Sequence, residues 1–247
     1  MIEKFNVHIS DKDIDELRTK IKLTRWPDEI NNERWSHGTS LSFLKKLSKY
    51  WLDDFDWRIH EDQINKIGSY KFKTKSGLKI HFLHSKSNKK NAIPIVMTHG
   101  WPGSIQEFLK IIPILHKESK IPIDIICPSL PGFGFSDKPK ETGMNSKKIA
   151  KLQHELMMNL GYKKYVVQGG DWGSTVSKWM AELYPEHCIG IHLNLVIAYP
   201  PEGEDPMEGV TSAELKMLEN YDKYKTQGYG YYDCLLYTSD AADERHC

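Results

Sequence analysis

Between Tyr70 and Leu195, short apolar runs of strand length alternate with longer segments of helical periodicity, and that order constrains the fold more than any other feature of the chain. Tyr70, Phe72 and Thr74 alternate with lysines, Ser76-Gly77 turns the chain, and Leu78, Ile80 and Phe82 alternate again, the pattern of a β-hairpin. Pro94 to Thr98 reads as a buried strand, and Phe108, Ile111, Ile112 and Leu115 mark a helix. Ile123 to Cys127 is the next strand, and Ile149, Leu152, Leu156 and Leu160 mark the next helix. Tyr165 to Gln168 and Gly190 to Leu195 are two further strands, divided by a helix that opens near Gly173. Repeated strand–helix–strand order predicts an α/β fold with a mainly parallel sheet covered on both faces.

The flanks differ. Ser10 with Asp13 makes a capping arrangement, and Ile14, Leu17 and Ile21 follow at helical spacing. Leu41, Leu44, Leu47 and Trp51 mark a second amphipathic helix and Phe55 to Ile64 a third, so residues 1–69 read as a helical, aromatic-rich layer without a strand pattern. Past Tyr199, Pro200, Pro201, Gly203, Pro206 and Gly209 make a loop, followed by a helical segment from Ser212 to about Lys225. The predicted organisation is 1–69, 70–199, 200–233 and a tail, 234–247.

Composition excludes several functions. Against 33 Asp+Glu stand 34 Lys+Arg, a formal net charge of +1 at pH 7, which argues against nucleic-acid and anionic-membrane partners. The lysine-rich stretch Lys86 to Lys90 contains Ser and Asn and reads as a solvated loop. Cys127, Cys188, Cys234 and Cys247 show no C-x-x-C spacing, so neither a disulfide framework nor a zinc site is expected. Met1 to Val7 has no apolar signal region, and no window approaches the ~18 apolar residues of a spanning helix. The expectation is a soluble, cytoplasmic protein without a membrane anchor.

The strongest local signal is Gly169-Gly170-Asp171-Trp172-Gly173, placed between a predicted strand and a predicted helix as a nucleophile elbow requires. Glycines two positions either side of the central residue relieve the crowding of so sharp a turn. The plainer reading is a glycine-rich turn whose Asp caps the helix. A serine elbow would suit an esterase, whereas a carboxylate suits attack on an sp3 carbon, leaving an enzyme ester for water to cleave. That second step builds an oxyanion and needs backbone N–H donors.

His99-Gly100-Trp101-Pro102-Gly103-Ser104 follows the strand ending near Thr98 and can supply one from Trp101, beside that of Trp172. Pro102 restricts Trp101 and admits a cis bond; a plain Pro-Gly β-turn is the bland alternative. His99 precedes the nucleophile and is assigned to holding the loop, not to the catalytic base. Pro128-Ser129-Leu130-Pro131-Gly132-Phe133-Gly134-Phe135-Ser136-Asp137, at the carboxyl end of the next strand, reads mostly as scaffold.

These three motifs together resemble those of the epoxide hydrolases of the α/β-hydrolase fold. Thr24-Arg25-Trp26-Pro27 and Asp56-Trp57-Arg58, with Glu61 and Asn65, resemble the N-terminal meander of the microsomal-type branch, so the likeness runs from about Phe5 to Tyr232. The resemblance implies Asp171 as nucleophile, backbone donors at Trp101 and Trp172, and a cap-domain tyrosine that protonates the epoxide oxygen. That tyrosine aligns with Tyr229, Tyr231 being the neighbouring alternative. It further implies an epoxide and water as partners, with neither metal nor organic cofactor, and, with no anchor seen at the N-terminus, the soluble form.

The family's order is nucleophile, acid, then histidine beyond the cap. Of eleven histidines only His246 follows the last predicted strand, in a stretch from Cys234 to Cys247 that does not resemble the family. Leu-Leu-Tyr-Thr-Ser-Asp-Ala-Ala-Asp-Glu within it is similar to translated adapter tails. The chain is therefore expected to be C-terminally truncated, an α/β-hydrolase fold lacking its final strands, with the start of a helical cap, and inactive as written. An Asp elbow followed by Trp also occurs in haloalkane dehalogenases, which tend to carry Asn or Glu where Trp101 stands and lack the meander. A non-catalytic relative is the third reading.

Overall fold

A computed structural model describes residues 1–30, 35–36, 38–197, 205 and 207–230. The chain divides into two compact units, Met1–Ile197 and Ala198–Cys247.

The first unit is built on one seven-stranded sheet. Its strands are β1 (Ile2–Lys4), β2 (Ser69–Lys73), β3 (Lys79–Ser85), β4 (Ile93–Thr98), β5 (Ile123–Pro128), β6 (Tyr165–Gly169) and β7 (Cys188–Leu193), in the order β1-β2-β3-β5-β4-β6-β7. The β1–β2, β2–β3 and β3–β5 pairs are antiparallel; β4–β5, β4–β6 and β6–β7 are parallel. This is the expected α/β-hydrolase architecture. The expected hairpin forms, with Tyr70 opposite Phe82 and Phe72 opposite Ile80. Gly77 turns it at φ +89°, where a side chain would be strained.

Of the helices α1 (Asp11–Lys22), α2 (Leu41–Asp53), α3 (Trp57–Ile67), α4 (Ile111–Glu118), α5 (Ser146–Asn159) and α6 (Trp172–Leu183), the last four cover the sheet and α1 packs on α2. Successive residues of a strand point to opposite faces, so Phe82 and Leu83, both fully buried, enter different cores. Phe82, Val96, Ile126 and Val167 meet Leu156 and Met157 of α5 and Met180 of α6. Leu83, Met97, Ile125 and Cys127 meet Ile64 of α3, Phe108 of the turn before α4 and Ile112 of α4. Each such side chain contributes roughly 1.5–3 kcal/mol on burial, so the sheet is held from both sides.

Three details depart from the sequence reading. The N-terminal layer does contain a strand: Ile2–Lys4 lines the sheet's edge, with Ile2 opposite Phe72. Three residues cannot display a period of two, so the pairing was not visible. Helix formation after the oxyanion loop is split into a 3-10 turn, Ile105–Phe108, and α4 from Ile111. That start places Pro113 in the first turn, where its missing N–H has no intrahelical acceptor to lose. The last strand ends at Leu193, two residues earlier than expected, and Asn194 and Leu195 bend away.

The meander is latched to the sheet by side chains of α3. Asp56 caps the helix by accepting from Arg58 N (2.8 Å). Asn65 pairs with Val7 as a strand would, accepting from its N–H at 2.8 Å and donating to its carbonyl at 2.9 Å. Glu61, only 4% exposed, accepts from Ile9 N (2.9 Å) and pairs with Arg58, which also donates to the Ile9 carbonyl (2.7 Å). A buried carboxylate is tolerated when paired and hydrogen-bonded in this way.

In the second unit α7 (Ser212–Gln227) opens on a capping box of Thr211 and Glu214. No helix among the described residues is long and apolar enough to cross a membrane.

Candidate active site

At the carboxyl end of β6 the chain turns through Gly169 and Gly170 into Asp171, and α6 begins at the next residue. Asp171 has φ 51° and ψ −129°, outside the regions open to ordinary residues. The surroundings enforce this conformation. A Cβ on Gly169 would lie 2.1 Å from the Gly173 carbonyl oxygen, and one on Gly173 would lie 2.1 Å from that of Thr98. One on Gly170 would meet the Asn194 amide at 2.3 Å. The Asp171 carbonyl accepts from Ser174 N (3.0 Å) and Ser174 Oγ (2.7 Å), tying the turn to the helix. The side chain makes no capping bond to the helix and is exposed, unlike the capping turn that was the plainer reading.

The loop after β4 closes on that carboxylate. Trp101 N donates to Asp171 Oδ1 at 2.8 Å. Gly100 allows the approach, since a Cβ there would stand 2.5 Å from Asp171 Cβ and 2.6 Å from Oδ1. The Trp101–Pro102 bond is cis. His99 is fully buried; its Nδ1–H donates to the Gly100 carbonyl (2.8 Å), which leaves Nε2 to accept from Leu130 N (3.0 Å). Burial lowers its pKa, against a smaller opposing effect of the Gly100 bond, and keeps the ring neutral. One carboxylate oxygen is thus held by a backbone donor. No hydrogen bond from Trp172 N–H to the carboxylate is present among the described residues, and the Trp172 side chain is exposed.

The loop after β5 is bound to β3. Buried His81 bridges Ser69 Oγ and Ser129 Oγ, each at 2.8 Å. Ser136 Oγ donates to the Ser129 carbonyl (2.8 Å) and accepts from His81 N (2.9 Å), while Asp137 accepts from Lys79 N (2.9 Å). Leu130 N–H, the partner of His99, and Gly100 both carry weight that sequence reading did not assign. The only signal was their neighbourhood to the motifs.

Tyr229 lies in the second unit, half-buried, its ring edge-on to Tyr224 at 6.0 Å. Tyr231 and His246 lie outside the described residues. Among the described residues no histidine hydrogen-bonds Asp171, and no group of three or more His, Cys, Asp or Glu could hold a metal.

A family model for the epoxide hydrolase N terminus matches residues 2–108, and one for the alpha/beta hydrolase fold matches residues 93–226. Epoxide hydrolase 1 of Oryctolagus cuniculus is 41% identical over 208 residues, 79% of this chain and 45% of that protein. The structure of Aspergillus niger epoxide hydrolase superposes with a TM-score of 0.79 at 31% identity, covering 94% of this chain and 62% of that one. That of the juvenile hormone epoxide hydrolase from Bombyx mori gives 0.73 at 34% identity, covering 79% and 53%. The chain spans about half the length of the curated relatives it matches.

Proposed function

Because the chain belongs to the α/β-hydrolase family, and within it to the epoxide hydrolases whose N-terminal region it carries, we propose that it contributes the nucleophile of an enzyme converting epoxides to vicinal diols through an ester on Asp171. The observation that carries this reading is the hydrogen bond from Trp101 N to Asp171 Oδ1, which orients the carboxylate on a strained elbow. The second oxygen attacks an epoxide carbon, the C–O bond of the ring breaks, and its electron pair stays on the epoxide oxygen. Tyr229 supplies the proton for that oxygen. A phenol of ordinary pKa near 10 is a suitable donor to a far more basic alkoxide.

Water then attacks the Asp171 carboxyl carbon, the acyl–oxygen bond breaks, and the diol leaves with the oxygen that Asp171 gave it. In that step the charge on the carboxyl oxygen is met by Trp101 N–H and, once the carbon becomes tetrahedral, by Trp172 N–H. His99 positions the Trp101 loop and takes no proton, because both its nitrogens are engaged. This second half requires a general base and an acid partner. Among the described residues no histidine hydrogen-bonds Asp171.

Single-turnover reaction of the whole protein in isotopically labelled water tests the ester. Label should enter Asp171 before any reaches the diol. Label passing straight into diol, with none in the protein, would exclude it. The dehalogenase alternative shares this elbow, but the match of residues 2–108 to the epoxide hydrolase N terminus favours the epoxide.

A further inference from the structure

On the α3 and α4 side of the sheet lies a cleft of about 1150 Å³ to which neither the elbow nor the oxyanion loop contributes a lining residue. Its apolar lining comes from Ile67 and Pro113, with the buried core residues Leu109 and Ile112 behind them. Three lysines border it: Lys66 from α3, Lys86 just past β3 and Lys110 just before α4. None of them is neutralised within the described residues. The lysines there that form ion pairs are Lys20, Lys49, Lys79, Lys117 and Lys225, all elsewhere.

The nearby carboxylates are already engaged. Glu107, the one acidic residue lining the cleft, accepts from Ser104 N in the capping box of the 3-10 turn. Asp124, behind the wall, accepts from Ser87 N (2.9 Å) and from the Tyr162 hydroxyl (2.8 Å). Because that hydroxyl donates to Asp124, it must accept from His84 Nε2 at 3.0 Å, so His84 stands in the wall as a neutral donor. Burial first, and then the charge of Lys86, push its pKa down to about 4. Across the cleft His60 stacks on Phe55 and leaves a buried Nδ1 without a partner among the described residues.

A partly apolar lining with three lysines against one carboxylate, and no ion pair on those lysines among the described residues, suits an amphiphilic anion. We infer that this cleft binds a small amphiphilic carboxylate, its alkyl chain along Ile67 and Pro113 and its carboxylate among Lys66, Lys86 and Lys110. Pockets of roughly 300–1,000 Å³ are the usual size for small ligands, and this one is of that order. A membrane surface is a poorer match, since recognition of anionic bilayers takes clusters of about 4–8 basic residues on a presented surface. Three lysines around a concavity make no such face.

The test is calorimetric titration of the 247-residue chain with decanoate at pH 7.5, against 1-decanol as the uncharged control. Lys86→Glu/Lys110→Glu reverses the rim, and Lys12→Glu/Lys45→Glu makes the same change in net charge away from it. All four side chains are exposed, and urea unfolding checks that both variants fold. Decanoate should saturate the chain with one site, bind at least tenfold more tightly than decanol, and weaken at least tenfold in the rim variant only. No saturable binding, equal affinity for decanol, or equal loss in both variants would overturn the proposal. So would retention of full affinity in the rim variant, or association with phosphatidylglycerol vesicles but not with free decanoate.

Discussion

The elbow at Asp171 and the latch at Asn65 each fix a few residues of backbone against the sheet, the first by the absence of side chains and the second by their presence. Gly169 and Gly173 leave space that backbone oxygens fill to within 2.1 Å of where a Cβ would be, and Gly100 leaves space that the Asp171 side chain fills to within 2.5 Å. At the latch, Asn65 and Glu61 reach across 58 and 52 residues of sequence to supply hydrogen bonds that Val7 and Ile9 would otherwise lack. A steric device tolerates no added atom, while a polar device degrades one hydrogen bond at a time. The site that must hold a strained nucleophile uses the first, and the wrapping of a peripheral segment uses the second.

Gly173→Ala is the most direct way to break the elbow and carries the largest expected effect. The new Cβ would meet the Thr98 oxygen at 2.1 Å and the His99 oxygen at 2.9 Å, backbone that cannot swing away. Overpacking costs typically about 1–3 kcal/mol and occasionally more, and a 2.1 Å contact with backbone puts this case at the upper end, read as a fall in the urea midpoint or as loss of folded protein. Wild-type stability would show that the turn has room the distances deny.

At the latch, Glu61→Ala should cost less, about 1.5–3 kcal/mol, because it removes hydrogen bonds to a charged group, leaving Ile9 N without its acceptor and Arg58 with Asp11 as its remaining carboxylate. Glu61→Gln, which keeps an acceptor for Ile9, should fall between Ala and wild type in chemical denaturation. Equal loss in both would mean that shape, not the hydrogen bonds, holds the segment.

Acid approaches the comparison from the loop side. His81 and His84 are each pushed down to about 4, foremost by burial, with Lys71 adding to the effect at His81 and Lys86 at His84 against an opposing Asp124. Each has a folded pKa below the ordinary value near 6.5, so the native state binds fewer protons between those limits. Their contribution to stability is full above pH 6.5 and is lost as pH falls toward 4. The urea midpoint should therefore drop between pH 7 and pH 5, with His81→Gln flattening the slope. A midpoint that does not change over that range would contradict the neutral, buried state of these rings.

Ser10→Ala is the smallest of the set. It removes the cap that accepts from Asp13 N (3.1 Å), at an exposed helix end beside the latch. The expected loss is about 0.5–1 kcal/mol, seen as a small shift in midpoint without a change in slope.

What was legible in the sequence follows the same division. The elbow could be read because its glycines stand within five consecutive residues, and the hairpin because its alternation is local. The latch could not be derived, since nothing near Asn65 or Glu61 names Val7 or Ile9 as partners; both were visible only as part of a family signature. Gly100 was seen inside a motif but not as the residue that admits Trp101 to the carboxylate, a fact of two loops meeting in space. Strand β1 was too short to show a pattern, and the Asn194 amide lies where a Cβ on Gly170 would stand, a contact between residues distant in sequence. Tyr229 was placed by resemblance alone, and it belongs to the second compact unit.

The central claim is that Asp171 attacks the substrate, and trapping on the 247-residue chain tests it most directly. Incubated with excess styrene oxide and analysed by intact mass and peptide mapping, the chain should gain one equivalent of the epoxide as an alkali-labile ester on Asp171. Asp171→Asn should gain none. Steady diol formation without an adduct, or an adduct that persists in Asp171→Asn, would contradict the account.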